Sequence, residues 1–163
     1  MQVPYWPRPS TVMDPQHAWW SKPSHENDYR ILRATFTGDT TLIFDSRRPA
    51  VPVSSTERDS VIAAIRERAG SNLDWSLIPH TKPIVTQMFV AAEGDVWVKV
   101  TTAQDSLNTY DVFGSDGRYK GTAVTALRVM PFLRPVVRGD RFWAIVRDEL
   151  DVAYIARGRI VRR

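Results

Sequence analysis

Three carboxylates crowd into Arg147-Asp148-Glu149-Leu150-Asp151, and clustered loop oxygens of this kind are the ligands hard cations take, calcium among them. Asp148, Glu149 and Asp151 lack the alternating ligand spacing of a calcium loop, however. Their expected role is in a connecting loop, pairing with arginines or capping strand ends, with cation binding as the sharper alternative. The three histidines, His17, His25 and His80, fall on separate predicted loops as solvated turn residues. There is no Gly-x-Ser-x-Gly, no Gly-rich phosphate loop and no His-Glu-x-x-His. No cysteine is present, which removes disulfides, thiol chemistry and Cys-based zinc sites. No catalytic residue, metal ligand set or cofactor-binding motif is therefore assigned.

The elements that would carry such a loop are short and strand-like. In the middle of the chain, Ile84 to Val90 leads through Glu93-Gly94-Asp95 into Val96-Trp97-Val98-Lys99-Val100. After a polar stretch come Tyr110 to Phe113, the turn Ser115-Asp116-Gly117, and Arg118 to Val124. Asp-Gly between two such runs predicts a hairpin, with a type I′ turn as its usual form. The plan recurs as Phe132 to Val137, Arg138-Gly139-Asp140, Phe142 to Val146, the acidic loop, and Val152 to Ile155. An earlier copy runs through Thr11-Val12-Met13, Ala18-Trp19-Trp20, Tyr29 to Leu32 and Thr41 to Phe44. With an insertion of about 33 residues removed, the Trp20, Trp97 and Trp143 copies repeat every 44 to 46 residues, the period of a propeller blade of four strands. Trp19, Trp97 and Trp143 are read as recurring core between blades.

The insertion is of a different kind. Ser54 and Glu57 form a capping box; Val61, Ile62, Ile65 and Ala69 make an apolar stripe at helical spacing; Arg66 and Arg68 occupy the last turn and Gly70 stops it. The spacing predicts a helix over 54–69 laid on an outer surface, followed by an irregular return loop, 72–83, that holds Trp75 against the body.

These residues resemble bacterial six-bladed β-propeller proteins, NHL-like in fold, over nearly the whole chain: in Tyr110 to Phe113 with Asp116 to Tyr119, in the helical insertion between Pro52 and Pro83, and in Phe142 to Tyr154 with Arg147 to Val152, whose Asp148-Glu149-Leu150 loop is the most specific part. The resemblance implies an all-β fold of about three four-stranded antiparallel blades, half of a six-bladed propeller. As a single propeller-type domain over 1–163 it divides into a blade over 1–48, the insertion over 49–83, and blades over 84–126 and 127–163. Family members are longer, with about twice the blades and an export or lipoprotein signal. The likeness thus suggests a periplasmic or extracellular setting, although no signal peptide is visible here. Three blades are not expected to close alone. The partners are then the remaining blades of a longer chain or a second copy, with Gln2 to Tyr5 as an outer strand of a preceding blade. Function is expected to be that of a non-catalytic binding or scaffold module acting through the loop face, its protein or small-molecule ligand undefined. The rival is a lactonase- or lyase-like propeller enzyme with His, Asp or Glu converging at a central channel.

Composition sets the outer limits. The 163 residues include 43% hydrophobic and 25% charged side chains, enough for one cored domain. No apolar run approaches the ~20 residues of a membrane span. The net charge of +4 is uneven: from Arg128 onward nine arginines face four acids, while the first 127 residues carry thirteen basic and fourteen acidic side chains. Arginine outnumbers lysine 18 to 4, as a GC-rich coding sequence also dictates, and nucleic acid is not expected as a partner. Arg157, Arg159, Arg162 and Arg163 read as charges protecting an edge strand from aggregation.

Overall fold

A computed structural model describes residues 4–14, 18–23, 27–69, 74–104, 107–130 and 133–161, the side chains of 68 and 69 excepted. His17, His25, Gly70, Phe132, Arg162 and Arg163 lie outside the described residues, as does Gln2-Val3. The chain is all-β with one helical insertion: three antiparallel sheets of four, four and three strands, with no closed barrel. The first sheet is β1 (Ser10–Met13), β2 (Trp19–Lys22), β3 (Arg30–Ala34) and β4 (Thr40–Asp45). The second is β5 (Val85–Val90), β6 (Val96–Val100), β7 (Asn108–Phe113) and β8 (Tyr119–Thr125). The third is β9 (Val136–Arg138), β10 (Arg141–Arg147) and β11 (Ala153–Arg159). In each sheet the strands lie in chain order, an up-and-down meander.

Alternation along the strands explains how the sheets stack. Successive residues point to opposite faces, so Met88, Val96, Val98 and Phe113 meet Val12, Trp20, Tyr29 and Ile31 of the first sheet in one core. From the same strands, Phe89, Trp97 and Tyr110 pack against Val137 and Phe142 of the third sheet in another. The second sheet is the middle layer, buried on both faces, which is why its strands read as nearly continuous apolar runs. Between different sheets, β1 and β5 are the strands that approach most closely.

Strand termination follows a repeated turn. Gly38 N donates to Thr35 O and Thr35 N to Asp39 O; the same pair of bonds joins Ala91, Gly94 and Asp95, and again Gly114, Gly117 and Arg118. In each only the glycine has positive φ, at 95°, 89° and 78°. The Asp116-Gly117 hairpin is therefore a type I turn with a glycine bulge, not the type I′ turn expected, because Asp116 keeps negative φ.

Several expectations need correcting. The third sheet has three strands, the last repeat stopping short of a fourth. Of the run expected as a strand over 132–137, the described residues before Val136 are not strand and β9 begins only at Val136; 128–130 instead runs beside the far end of β10 through Met130 N to Ile145 O and Arg147 N to Arg128 O, while β9 pairs with its start. Pro4 and Tyr5 form a turn with Tyr5 at φ 57° instead of an outer strand. Arg157 and Arg159 lie inside β11, which is longer than its apolar core suggested. Trp20, not Trp19, takes the inter-sheet position: Trp20 is fully buried, whereas Trp19 lies on the opposite face with Phe36, its ring 5.6 Å away.

The insertion closes on itself. Helix α1 (Ser55–Ala69) is capped as expected, Glu57 N donating to Ser54 Oγ and Ser54 N to Glu57 Oε2. None of its described residues is buried, so its stripe lies shallowly on the surface. Arg58 donates to Ile78 O and Trp75 O, and Arg66 stacks 5.3 Å from the Trp75 ring, so Trp75 is held by the helix rather than by the body. Val53 N to His80 O and Lys82 N to Val51 O pair the two ends into a neck, which Asn27 ties to the first sheet through Lys82 O and Ile84 N.

Candidate functional site

The acidic loop near the C-terminus is the same turn once more. Asp148 N donates to Val152 O and Asp151 N to Asp148 O, with Asp151 at φ 63° in the position glycine holds elsewhere. Asp is one of the few residues whose side chain makes the left-handed conformation tolerable. Asp148 Oδ1 accepts from Leu150 N and Val152 N, both at 2.9 Å, and Asp151 pairs with Arg147, which holds the Asp151 carboxyl below its usual range. Two of the three carboxylates thus serve the turn itself, while Glu149 is exposed. Among the described residues no three His, Asp or Glu side chains converge as a metal would need. His80 is exposed in the insertion neck.

A cleft of about 540 Å³ opens instead between the first two sheets, past the end of β4, lined by Phe44, Arg47, Arg48, Asp111, Tyr119 and Thr122 among others. Its inner wall is built around Asp111. Strand alternation turns this residue toward the first sheet, between Tyr110 and Val112, which face the third. It is 1% exposed, and a carboxylate so buried must be paired and hydrogen-bonded. Tyr29 Oη donates to Asp111 Oδ2 at 3.0 Å, Arg48 Nε to Oδ2 at 3.1 Å and Arg48 Nη2 to Oδ1, and Thr122 Oγ1 to Oδ1 at 2.9 Å. Tyr119 Oη lies 2.6 Å from Thr122 Oγ1. Burial first, and then the neighbouring Asp111 charge, push the Tyr29 phenol far above its usual range, so it stays a neutral donor. The same carboxylate raises Arg48 further.

An aromatic floor completes the cleft. Phe44 and Phe113 stand with ring centroids 4.5 Å apart, and Tyr119 meets Phe113 edge-on at 5.6 Å. Gly117 is required beneath them: a Cβ there would fall 2.7 Å from Leu42 Cδ2. The guanidinium of Arg48, about a quarter exposed, and the rings present a polar and an apolar wall to solvent. Such a surface can bind and orient a ligand; its carboxylate is saturated by its own donors, so it offers no free base. A second carboxylate, Asp14, is also buried, accepting from Ala18 N, Trp20 Nε1 and Arg33, whose guanidinium lies 5.6 Å from the Trp20 ring. It fixes the start of the first sheet.

Sequence reasoning missed the Asp111 cluster, whose members Tyr29, Arg48, Asp111 and Thr122 are separated by up to 93 positions. The one available signal was a carboxylate inside an apolar strand run. Comparison with protein-family models and with curated protein sequences gave no match. No helix among the described residues is long and apolar enough to cross a membrane.

Proposed function

We propose that this chain is a non-catalytic binding or scaffold module, built as half of a six-bladed, NHL-like β-propeller, and that its ligand seats in the cleft walled by Arg48 and Tyr119. The observation that carries the reading is the stack itself. Each sheet presents its tryptophan toward the sheet that follows: Trp20 toward the second, Trp97 toward the third, and Trp143 away from both on the open side of the third. Consecutive meanders packed face to face in one sense are how propeller blades associate. The ligand position follows from a cleft within the usual size range for small-molecule sites, with an aromatic floor of Phe44, Phe113 and Tyr119 and a polar wall that includes Arg47, Arg48 and Thr122. The lactonase- or lyase-like alternative needs His, Asp or Glu converging where the first strands of the sheets meet, and the described side chains of β1, β5 and β9 are Ser, Thr, Val, Met, Phe, Gln and Arg.

The test is an amide-shift titration of the labelled chain with a fragment library. The expected result is perturbation clustered on Ser46 to Arg48 and Tyr119 to Thr122, weakened at least tenfold by Arg47→Ala, with the fragments recovered unchanged. Perturbation clustered on β1, β5 and β9 with conversion of the fragment would establish the enzyme instead.

A further inference from the structure

Both carboxylates on the cleft wall are already neutralised by a guanidinium. Asp45 takes Arg30 Nε at 2.8 Å on one oxygen and Arg30 Nη2 at 3.1 Å on the other. Asp111 has its two oxygens filled by Tyr29, Arg48 and Thr122. The lining cations are not used up in the same way. Arg48 spends Nε and Nη2 on Asp111 and Thr122, which leaves Nη1 and its two N–H groups without an acceptor among the described residues. Arg47, exposed beside it, has no hydrogen bond or ion pair among the described residues. Once Arg48 is set against Asp111 and Arg30 against Asp45, the cleft is left with the single positive charge of Arg47.

A chain of hydroxyls fixes a side-chain acceptor at the same place. Asp111, paired with a guanidinium, accepts only, so Thr122 Oγ1 gives its one proton to Asp111 Oδ1. Thr122 Oγ1 receives Arg48 Nη2 at 3.2 Å and must also receive the Tyr119 hydroxyl at 2.6 Å. Tyr119 Oη therefore points its proton at Thr122 and keeps its lone pairs for the cleft. Its ring, 58% exposed, stands with Phe113 and Phe44 as the floor.

We propose that the cleft takes a small aromatic carboxylate: its ring lies on Phe44, Phe113 and Tyr119, its carboxylate meets Arg47 and the Nη1 side of Arg48, and a ring hydroxyl donates to Tyr119 Oη. A guanidinium fork matches a planar anion of two oxygens, and one surplus charge matches a monoanion. Aromatic floors favour an aromatic ring through offset and edge contacts. A cation is disfavoured, because each carboxylate of the wall already has its guanidinium. The proposal rests on the cleft as the ligand site and adds the sign and shape of the ligand to it.

The experiment is an amide-shift titration of the labelled chain with benzoate, 4-hydroxybenzoate, benzyl alcohol and benzylammonium, probes of similar size that differ in charge and in the ring hydroxyl. Benzoate should perturb Ser46 to Arg48 and Tyr119 to Thr122 and bind about tenfold more tightly than benzyl alcohol, with benzylammonium weakest. 4-Hydroxybenzoate should gain about threefold over benzoate. Arg47→Glu, at an exposed residue, should reverse the order of benzoate and benzylammonium, and Tyr119→Phe should keep the ring and abolish the gain from the hydroxyl. Circular dichroism and cooperative unfolding check that both variants keep their sheets. Benzyl alcohol or benzylammonium binding there as tightly as benzoate, an order unchanged by Arg47→Glu, or benzoate perturbing only the arginines of the third sheet would each overturn the carboxylate assignment while fragments of another class in the cleft leave it standing as the ligand site. A hydroxyl gain that is absent, or that survives Tyr119→Phe, would overturn the placement of the ring. Silence of those amides toward all four probes and toward every other fragment would overturn the cleft as a site, and this assignment with it.

Discussion

Asp111 is where the stack of sheets is most vulnerable to a single atom change. Replacing it with Ala strands the Arg48 guanidinium and the Tyr29 hydroxyl, which come from the first sheet and its exit, and leaves Thr122 without its acceptor. Removing one partner of a buried ion pair costs ~3–5 kcal/mol. Arg48 keeps about a quarter of its side chain in water, so the loss should fall near the lower end, ~3 kcal/mol. Arg48→Met should cost more, ~4 kcal/mol, because it is then the 1%-exposed carboxylate that loses its cation and keeps only two hydroxyl donors. The double variant should cost less than the two singles together, by at least ~1.5 kcal/mol, since no charge is left unpaired. Urea unfolding at pH 7 reads all four proteins, the m-value checking that cooperativity is retained. Coupling under ~0.5 kcal/mol would refute the argument, showing that the two sheets are held by their apolar core alone.

Four further outcomes are expected. Asp148→Ala should lower stability by ~1–2 kcal/mol, because two turn amides lose their acceptor, while Asp151→Gly should be neutral or stabilising, relief of a left-handed Asp offsetting the lost Arg147 pair; thermal melts decide both. Tyr110→Phe should hold or raise stability at pH 7 by up to ~1 kcal/mol, because its buried hydroxyl has no hydrogen-bond partner among the described residues. Burial lifts that phenol to about 12, above its usual 10, so the wild type binds a proton the unfolded chain releases and loses stability as pH rises from 10 toward 12; the variant's melting curve should fall less there. Lys82 first, then Ser54, hold the Glu57 carboxyl at about 2, so the insertion neck gains from the ionised form above pH 4.5 and loses that gain as pH falls toward 2; hydrogen exchange at the Val53 and Lys82 amides should accelerate over that window ahead of the sheets. Val61→Ala with Ile65→Ala should cost at most a few kcal/mol and leave the sheets' near-ultraviolet spectrum unchanged, since neither residue is buried.

What could be read in the sequence divides along the range of the interactions responsible. Strand runs, the capping box at Ser54 and the hairpins were legible because each is decided within a few residues. The turn type was not: Asp-Gly is compatible with two geometries, and the choice lies in whether the residue before glycine also takes positive φ. The acidic loop read as a connecting loop whose acids pair with arginines or cap strand ends, as Asp151 with Arg147 and Asp148 on the turn amides do; what the local letters did not show is that Asp151 takes the left-handed position that glycine holds in the sister turns. Asp111 was hidden for the opposite reason. In a layer buried on both faces, alternation carries no polarity signal, so one carboxylate inside Tyr-Asp-Val-Phe looks like an interruption until a distant Arg48 arrives to pair with it.

The same alternation settles Trp19 against Trp20. A shift of one residue moves a side chain to the other face, and the register of β2 against β1 and β3 puts Trp20 with Val12 and Arg33 on the inner side. Trp19 then belongs to the uncovered face with Met13 and Ile43. The tandem tryptophans therefore supply both surfaces of one sheet: the second closes the contact with the second sheet, and the first stands on the outward face beside Phe36. An Ala at 20 should unfold the first sheet from the second, whereas an Ala at 19 should leave the monomer intact and act only on whatever covers that face.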